Sequence, residues 1–205
     1  MLYDPTDATF EALDYYEEKI HQLYGYSFHV LDSLGAGLNG AVFEMPNGNQ
    51  ALKVTTDPSE LATIEELVES DLYREPGIVA IDPRTVHYLG PHPIIKNRIV
   101  GAYIMEKIQP LTEQEIFYME EAIDNVHECL QFTKNADTFI GCTEDVLKEW
   151  PELESIVFFI YQCLSTGLWL FDVHEYNVGW RLDDNGKPIT AEKGGDLVLF
   201  DVESY

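Results

Sequence analysis

Residues 34–54 read LGAGLNGAVFEMPNGNQALKV, and the fold of the first half of the chain turns on them. Gly35-Ala36-Gly37-Leu38-Asn39-Gly40 fits G-x-G-x-x-G, a spacing whose missing side chains let backbone amides approach a phosphate. A dinucleotide-binding fold needs a helix directly after such glycines, because the helix N-terminus holds the pyrophosphate. Here Ala41, Val42 and Phe43 follow instead, then Pro46-Asn47-Gly48-Asn49 and a second apolar run from Gln50 to Thr55. Asn-Gly between two such runs predicts a hairpin, since both residues tolerate positive φ. Strand side chains alternate with period two, so Ala51 and Lys53 share one face of the returning strand. Ala51 leaves room for a flat base, Lys53 reaches toward phosphates, and an ammonium in an apolar run requires a carboxylate partner.

Asp57-Pro58-Ser59 caps a helix expected over 59–73, which Glu75-Pro76-Gly77 stops. That helix offers Glu60, Glu65, Glu66 and Glu69, of which Glu66 is the expected partner of Lys53. Upstream, Phe10, Leu13, Ile20 and Tyr24 mark one face of a helix from Asp7 that Gly25 ends. Phe28 to Leu34, Thr85 to Leu89 and Ile99 to Met105 read as further strands, so the first half is a small sheet with one inserted helix. After Gln109-Pro110 the pattern turns helical, over Thr112 to Phe132 and again from Glu152 to Leu168, before a final loop-and-strand section. Two lobes result, 1–108 and 109–205.

A chain of 205 residues with 45% apolar content can bury a core in one domain or two small lobes. Its net charge of -25, from 12 Lys and Arg against 37 Asp and Glu, repels phosphate backbones and anionic membranes. Direct nucleic-acid and membrane partners are therefore not expected; cationic substrates or a basic protein partner suit the field. Cys129, Cys142 and Cys163 have no close spacing and read as reduced core thiols. Met1 to Phe10 carries no secretion pattern, and the most apolar stretch, Ile156 to Phe171, is interrupted and too short to span a bilayer. A cytoplasmic location is expected.

Two acidic motifs close the chain. Asp172-Val173-His174-Glu175-Tyr176-Asn177 follows the apolar helix, and Leu197-Val198-Leu199-Phe200-Asp201-Val202-Glu203 is an apolar strand ending in an aspartate. His174 reads as a loop brace that works by hydrogen bonds.

In this order of motifs the chain resembles the protein-kinase-like superfamily. Gly35 to Val42 and Ala51 to Val54 match the glycine loop and strand lysine of protein kinases, and Ala102 to Ile108 looks like the last small-lobe strand and hinge. Leu170 and Phe171 stand where a protein kinase has His and Arg. The catalytic loop is thus more similar to the D-x-H-x-x-N loop of aminoglycoside and choline phosphotransferases. The resemblance implies an α+β, two-lobed protein-kinase-like fold: a small antiparallel sheet plus helix, then a reduced, mainly helical lobe, since only two residues follow Glu203. It also implies ATP and magnesium as cofactors. Gly35, Gly37, Gly40, Val42, Ala51, Lys53 and Met105 would line the nucleotide, and the backbone of Glu106 and Ile108 would hold adenine. Asp172, Lys53 and Glu66 would form the catalytic set, with Asn177 and Asp201 ligating magnesium. The leading expectation is a kinase acting on Ser or Thr of a protein. The alternatives are a phosphotransferase for a cationic antibiotic or metabolite, and a pseudokinase or acidic interaction module without transfer activity.

Overall fold

Helix α1 (Pro5–Tyr24) buries Leu13, Tyr16, Ile20 and Tyr24, a spacing of three and four residues that keeps one stripe facing inward. The structure is a computed structural model that describes residues 5–36, 39–195 and 197–202, with side chains from residue 8 onward. The chain is α+β, with an antiparallel sheet and a helix followed by a mainly helical part, as expected. Its residues group into two units, Met1–Glu65 with Ile81–Lys107 and Glu66–Ala80 with Ile108–Tyr205.

In the first unit, β1 (Ser33–Ala36), β2 (Gly40–Glu44), β3 (Gln50–Thr55), β4 (His87–Pro91) and β5 (Ile99–Glu106) form one antiparallel sheet in the order β1-β2-β3-β5-β4. The stripe of α1 packs with Ala41, Phe43, Leu52, Val54, Val100 and Ala102 on one sheet face. Burying each large aliphatic of that cluster contributes about 1.5–3 kcal/mol. Polar groups on the same helix tie it down: Tyr16 Oη donates to the Pro91 carbonyl at 2.7 Å and Lys19 Nζ to that of Leu89 at 2.6 Å. Tyr24 Oη lies 2.8 Å from both the Thr85 and Ala102 carbonyl oxygens.

Three details differ from the sequence reading. Phe28–Val30 is a 3-10 turn and the strand begins only at Ser33. In the β2–β3 turn only Gly48 takes positive φ; Asn47 acts through its side chain, which accepts from the amides of Asn49 and Gln50. The helix after β3, α2 (Pro58–Glu69), ends four residues early, because Asp71 adopts φ 59° and the Leu72 amide turns back to the Leu67 carbonyl.

The second unit holds α3 (Glu113–Phe132), α4 (Ala136–Glu149), α5 (Glu154–Thr166) and a three-stranded antiparallel sheet in the order β6 (Ile108–Pro110), β7 (Val178–Arg181), β8 (Leu197–Leu199). Thr112 and Glu115 form a reciprocal capping box at the start of α3, and Glu115 Oε1 also accepts from Trp180 Nε1 at 2.9 Å, fixing that helix end to β7. Helix α4, not anticipated, starts at the Asn135 cap. It turns back on α3 so that Cys129 and Cys142 are joined in a disulfide with Cα atoms 5.7 Å apart. The expectation of three reduced thiols is therefore wrong for this pair. Their separation of 13 residues becomes proximity only through the turn between the two helices. Cys163, on α5, is buried and free. Gly167 closes α5 in the left-handed region, φ 91°, with the Leu168 amide on the Cys163 carbonyl. Among the described residues no helix is long and apolar enough to cross a membrane.

Candidate functional site

The expected site residues fall into two groups, one in each unit. The first is set by strand register. Val42 stands opposite Lys53, Lys53 opposite Tyr103, and Ala51 opposite Met105. Cross-strand partners point to the same face. Val42, Ala51, Lys53, Tyr103 and Met105 therefore share the sheet face that α1 does not cover.

On that face Lys53 is only 5% exposed, and its Nζ lies 2.8 Å from Glu60 Oε1. Glu60 is 1% exposed, and the same oxygen accepts from Tyr103 Oη at 2.7 Å. The expected partner, Glu66, is exposed on α2, as are Glu65 and Glu69. The helix buries Leu61, Thr63, Ile64 and Leu67, and Glu60 lies on that stripe one or two turns ahead of Ile64 and Leu67. Asp57 holds the first turn in place by accepting from the Ser59 amide at 2.8 Å.

The glycine loop divides into parts with different reasons. A side chain at Gly40 would collide with the Val54 carbonyl oxygen, so this glycine is needed for the close approach of β2 to β3. Around Gly35, in β1, space is open. Gly37 lies outside the described residues. The far end of the loop is anchored by Asn39, which sequence reasoning missed. Its carbonyl accepts from the Thr56 amide at 2.7 Å, and its Oδ1 accepts from Arg98 Nη1 at 2.9 Å. Arg98 is distant in sequence, and no local pattern links it to the loop. Glu106 ends β5, the Lys107 amide donates to the Asn49 carbonyl at 3.0 Å, and Ile108 opens β6 in the second unit.

In the second unit, Asn177 Nδ2 donates to Asp172 Oδ2 at 2.8 Å and to the Asp172 carbonyl at 3.1 Å. His174 caps the 3-10 turn Glu175–Asn177: its Nδ1 accepts from the Tyr176 amide at 3.2 Å, and its Nε2 lies 3.3 Å from Asp172 Oδ1. The third station is brought in by the β7–β8 ladder. Val178 pairs with Leu199 and the Phe200 amide donates to the Asn177 carbonyl at 3.0 Å, which leaves Asp201 one residue beyond Asn177's neighbour. On its other side β8 is held by residues 77–79, with the Val79 amide 2.9 Å from the Leu199 carbonyl. Glu203 lies outside the described residues.

Among the described residues no group of three or more His, Cys, Asp or Glu side chains forms a metal cage. Asn177 and Asp201 offer an amide and a carboxylate oxygen, the hard donors magnesium takes when phosphates and water complete its shell. A cavity of about 270 Å³ lined by His127, Leu130, Gln131, Trp169, Leu170 and Phe171 adjoins the start of this loop. A larger one, about 400 Å³, is lined by α3, α4 and Trp150 and by none of the expected site residues.

No protein-family model matches the chain, and no curated protein does. Among solved structures it is similar to the GDP and kanamycin complex of APH(2")-IIia, at 13% identity and a TM-score of 0.35, over 91% of this chain and 71% of that one. A likeness that weak bears on neither fold nor chemistry, which rest on the geometry above.

Proposed function

We propose that the chain is an ATP- and magnesium-dependent phosphotransferase whose acceptor is a hydroxyl on a cationic small molecule. The observation that carries this reading is the Lys53–Glu60 pair, buried on a sheet face it shares with Ala51, Val42 and Met105. Burying two charges costs several kcal/mol each unless geometry repays it, so such a pair stabilises a fold poorly and suits a lysine that must be held out straight for a phosphate. Asp172 would take the acceptor proton. The bond from the γ-phosphorus to the β,γ-bridging oxygen breaks, that to the acceptor oxygen forms, and ADP leaves. Asn177 and Asp201 are the residues that would hold magnesium, which when bound neutralises charge on the phosphates.

The loop and the charge support this acceptor class. Residues 109–205 carry 20 Asp and Glu against 5 Lys and Arg. The segment before Asp172 is Leu170-Phe171, without the arginine that reads a phosphorylated activation loop. A protein Ser or Thr flanked by basic residues is the second reading, supported by the protein-kinase form of Gly35 to Val42.

The test is transfer of labelled phosphate from Mg-ATP, wild type against Asp172→Asn, to polyamine-like and aminoglycoside-like alcohols and to basic and acidic Ser/Thr peptides. Transfer confined to basic peptides installs the second reading. If no acceptor is labelled and Mg-ATP leaves the melting temperature unchanged while a basic protein raises it, the chain is an acidic interaction module. For a cationic acceptor KM should rise with salt, because screening acts over about 10 Å at 0.1 M.

A further inference from the structure

The asparagine and aspartate of the loop have roles in the reading above; His174 has none beyond bracing. Its geometry says more. Nδ1 accepts from the Tyr176 amide, so in the neutral ring this nitrogen carries the lone pair and the proton must sit on Nε2. Nε2 is the nitrogen that faces Asp172 Oδ1, at 3.3 Å. The opposite oxygen, Oδ2, is held by Asn177 Nδ2 at 2.8 Å. One carboxylate oxygen thus accepts a hydrogen bond from an amide, and the other lies 3.3 Å from a ring nitrogen whose proton a backbone N–H places there.

We propose that His174 is a positioning residue for Asp172: locked as the Nε2–H tautomer by the Tyr176 amide, it sets the rotation of the carboxylate that receives the acceptor proton. This rests on the phosphotransferase reading for its consequence, though not for its geometry. A carboxylate free to rotate about its last torsion presents either oxygen to the acceptor. Bonded at Oδ2 and faced at Oδ1 by the Nε2 proton, it favours one rotation and presents one direction to the acceptor, which is what proton transfer in an ordered complex needs. The ring, 40% exposed, is close enough to solvent that packing alone would not fix it. The hydrogen bond from the Tyr176 amide does.

Two measurements test this. In wild-type protein labelled with ¹⁵N at histidine, the His174 ring at mildly alkaline pH should show a pyridine-type Nδ1 and a pyrrole-type Nε2. The reverse assignment, or the averaged shifts of a free imidazole, overturns the proposal whatever the protein's activity. The second uses His174→Asn, whose Oδ1 can still accept from the Tyr176 amide but which has no group in the place of Nε2. Its melting temperature and its thermal shift with Mg-ATP should match wild type. Its kcat should fall about ten- to a hundredfold with KM for ATP unchanged, as expected when a reacting group is misplaced by a fraction of an ångström to an ångström. A variant with wild-type kcat, or one that loses kcat only together with stability, reduces His174 to a loop brace and leaves the function intact. A wild-type protein that transfers phosphate to no acceptor removes the function itself and this role with it.

Discussion

Neutralising Glu60 should be the most damaging single change on the sheet face of the first unit. In Glu60→Gln the Oε1 that accepts from Tyr103 Oη is retained, so that hydrogen bond, 2.7 Å in the native protein, can persist. The charge opposite Lys53 disappears. An ammonium 5% exposed is then left without its 2.8 Å carboxylate, and breaking a buried pair in this way costs about 3–5 kcal/mol. At about 2–4 °C per kcal/mol for a chain of this size, the melting temperature should fall by about 6–20 °C. Lys53→Met should cost a similar amount for the converse reason. The double variant should lose much less than the sum of the two, because the two charges that compensate each other are removed together. Glu66→Ala, at an exposed position on the same helix, should stay within about 0.5 kcal/mol of wild type. Urea unfolding followed by far-ultraviolet circular dichroism reads all four. Additive single-variant losses, or a Glu66→Ala as costly as Glu60→Gln, would refute the assignment of the pair.

Protein purified without reductant should yield a linked peptide containing Cys129 and Cys142, and reduction should cost about 3 kcal/mol for a loop this short; three free thiols on the native protein would reject the bond. Cys163 should resist maleimide while the chain is folded, since burial pushes its thiol up to about 12. Burial also raises the Tyr24 phenol above its ordinary 10.0, so folding favours the neutral form. Its contribution is complete below that pH and is lost as pH rises above it, and Tyr24→Phe should flatten that part of the stability profile. Gly40→Ala should destabilise by about 1–3 kcal/mol through overpacking against the Val54 carbonyl, visible in urea unfolding with no nucleotide present; an unchanged midpoint would return Gly40 to a purely ligand-facing role.

What could be read from the sequence depended on whether a single element carried the information. Period two within β3 is enough to put Ala51 and Lys53 on one face, and the register across β2, β3 and β5 then adds Val42 and Met105. The disulfide could not be read that way. Cys129 and Cys142 lie on different helices, and only the turn at residues 133–135 makes them neighbours. The Asn39–Arg98 contact, 59 residues apart, is equally silent in the sequence. Helix α4 was legible in principle, through the Asn135 cap and Phe139 four residues before Thr143, but its buried stripe is narrow and half polar.

The partner of Lys53 is the instructive case, because the sequence did contain the answer. At 100° per residue, Glu60 falls within about 40° of Ile64 and about 20° of Leu67 on the helix wheel, whereas Glu65, Glu66 and Glu69 fall about 120° or more from it. The carboxylate on the apolar stripe is the one that can be buried with a lysine; the three off it are solvated. The connection gives the same result independently. Strand β3 ends at Thr55 and α2 begins at Pro58, with the Asp57 amide bound to Thr55 Oγ1 and the Asp57 carboxylate on the Ser59 amide. Two residues cannot carry the helix away from the strand they leave, so the first turn of α2 must lie beside the end of β3, where Lys53 is two residues back. The ion pair is therefore a local property of the β3–α2 connection and its cap. Removing the Asp57 cap should loosen Lys53 more than any substitution in the last turn of the helix.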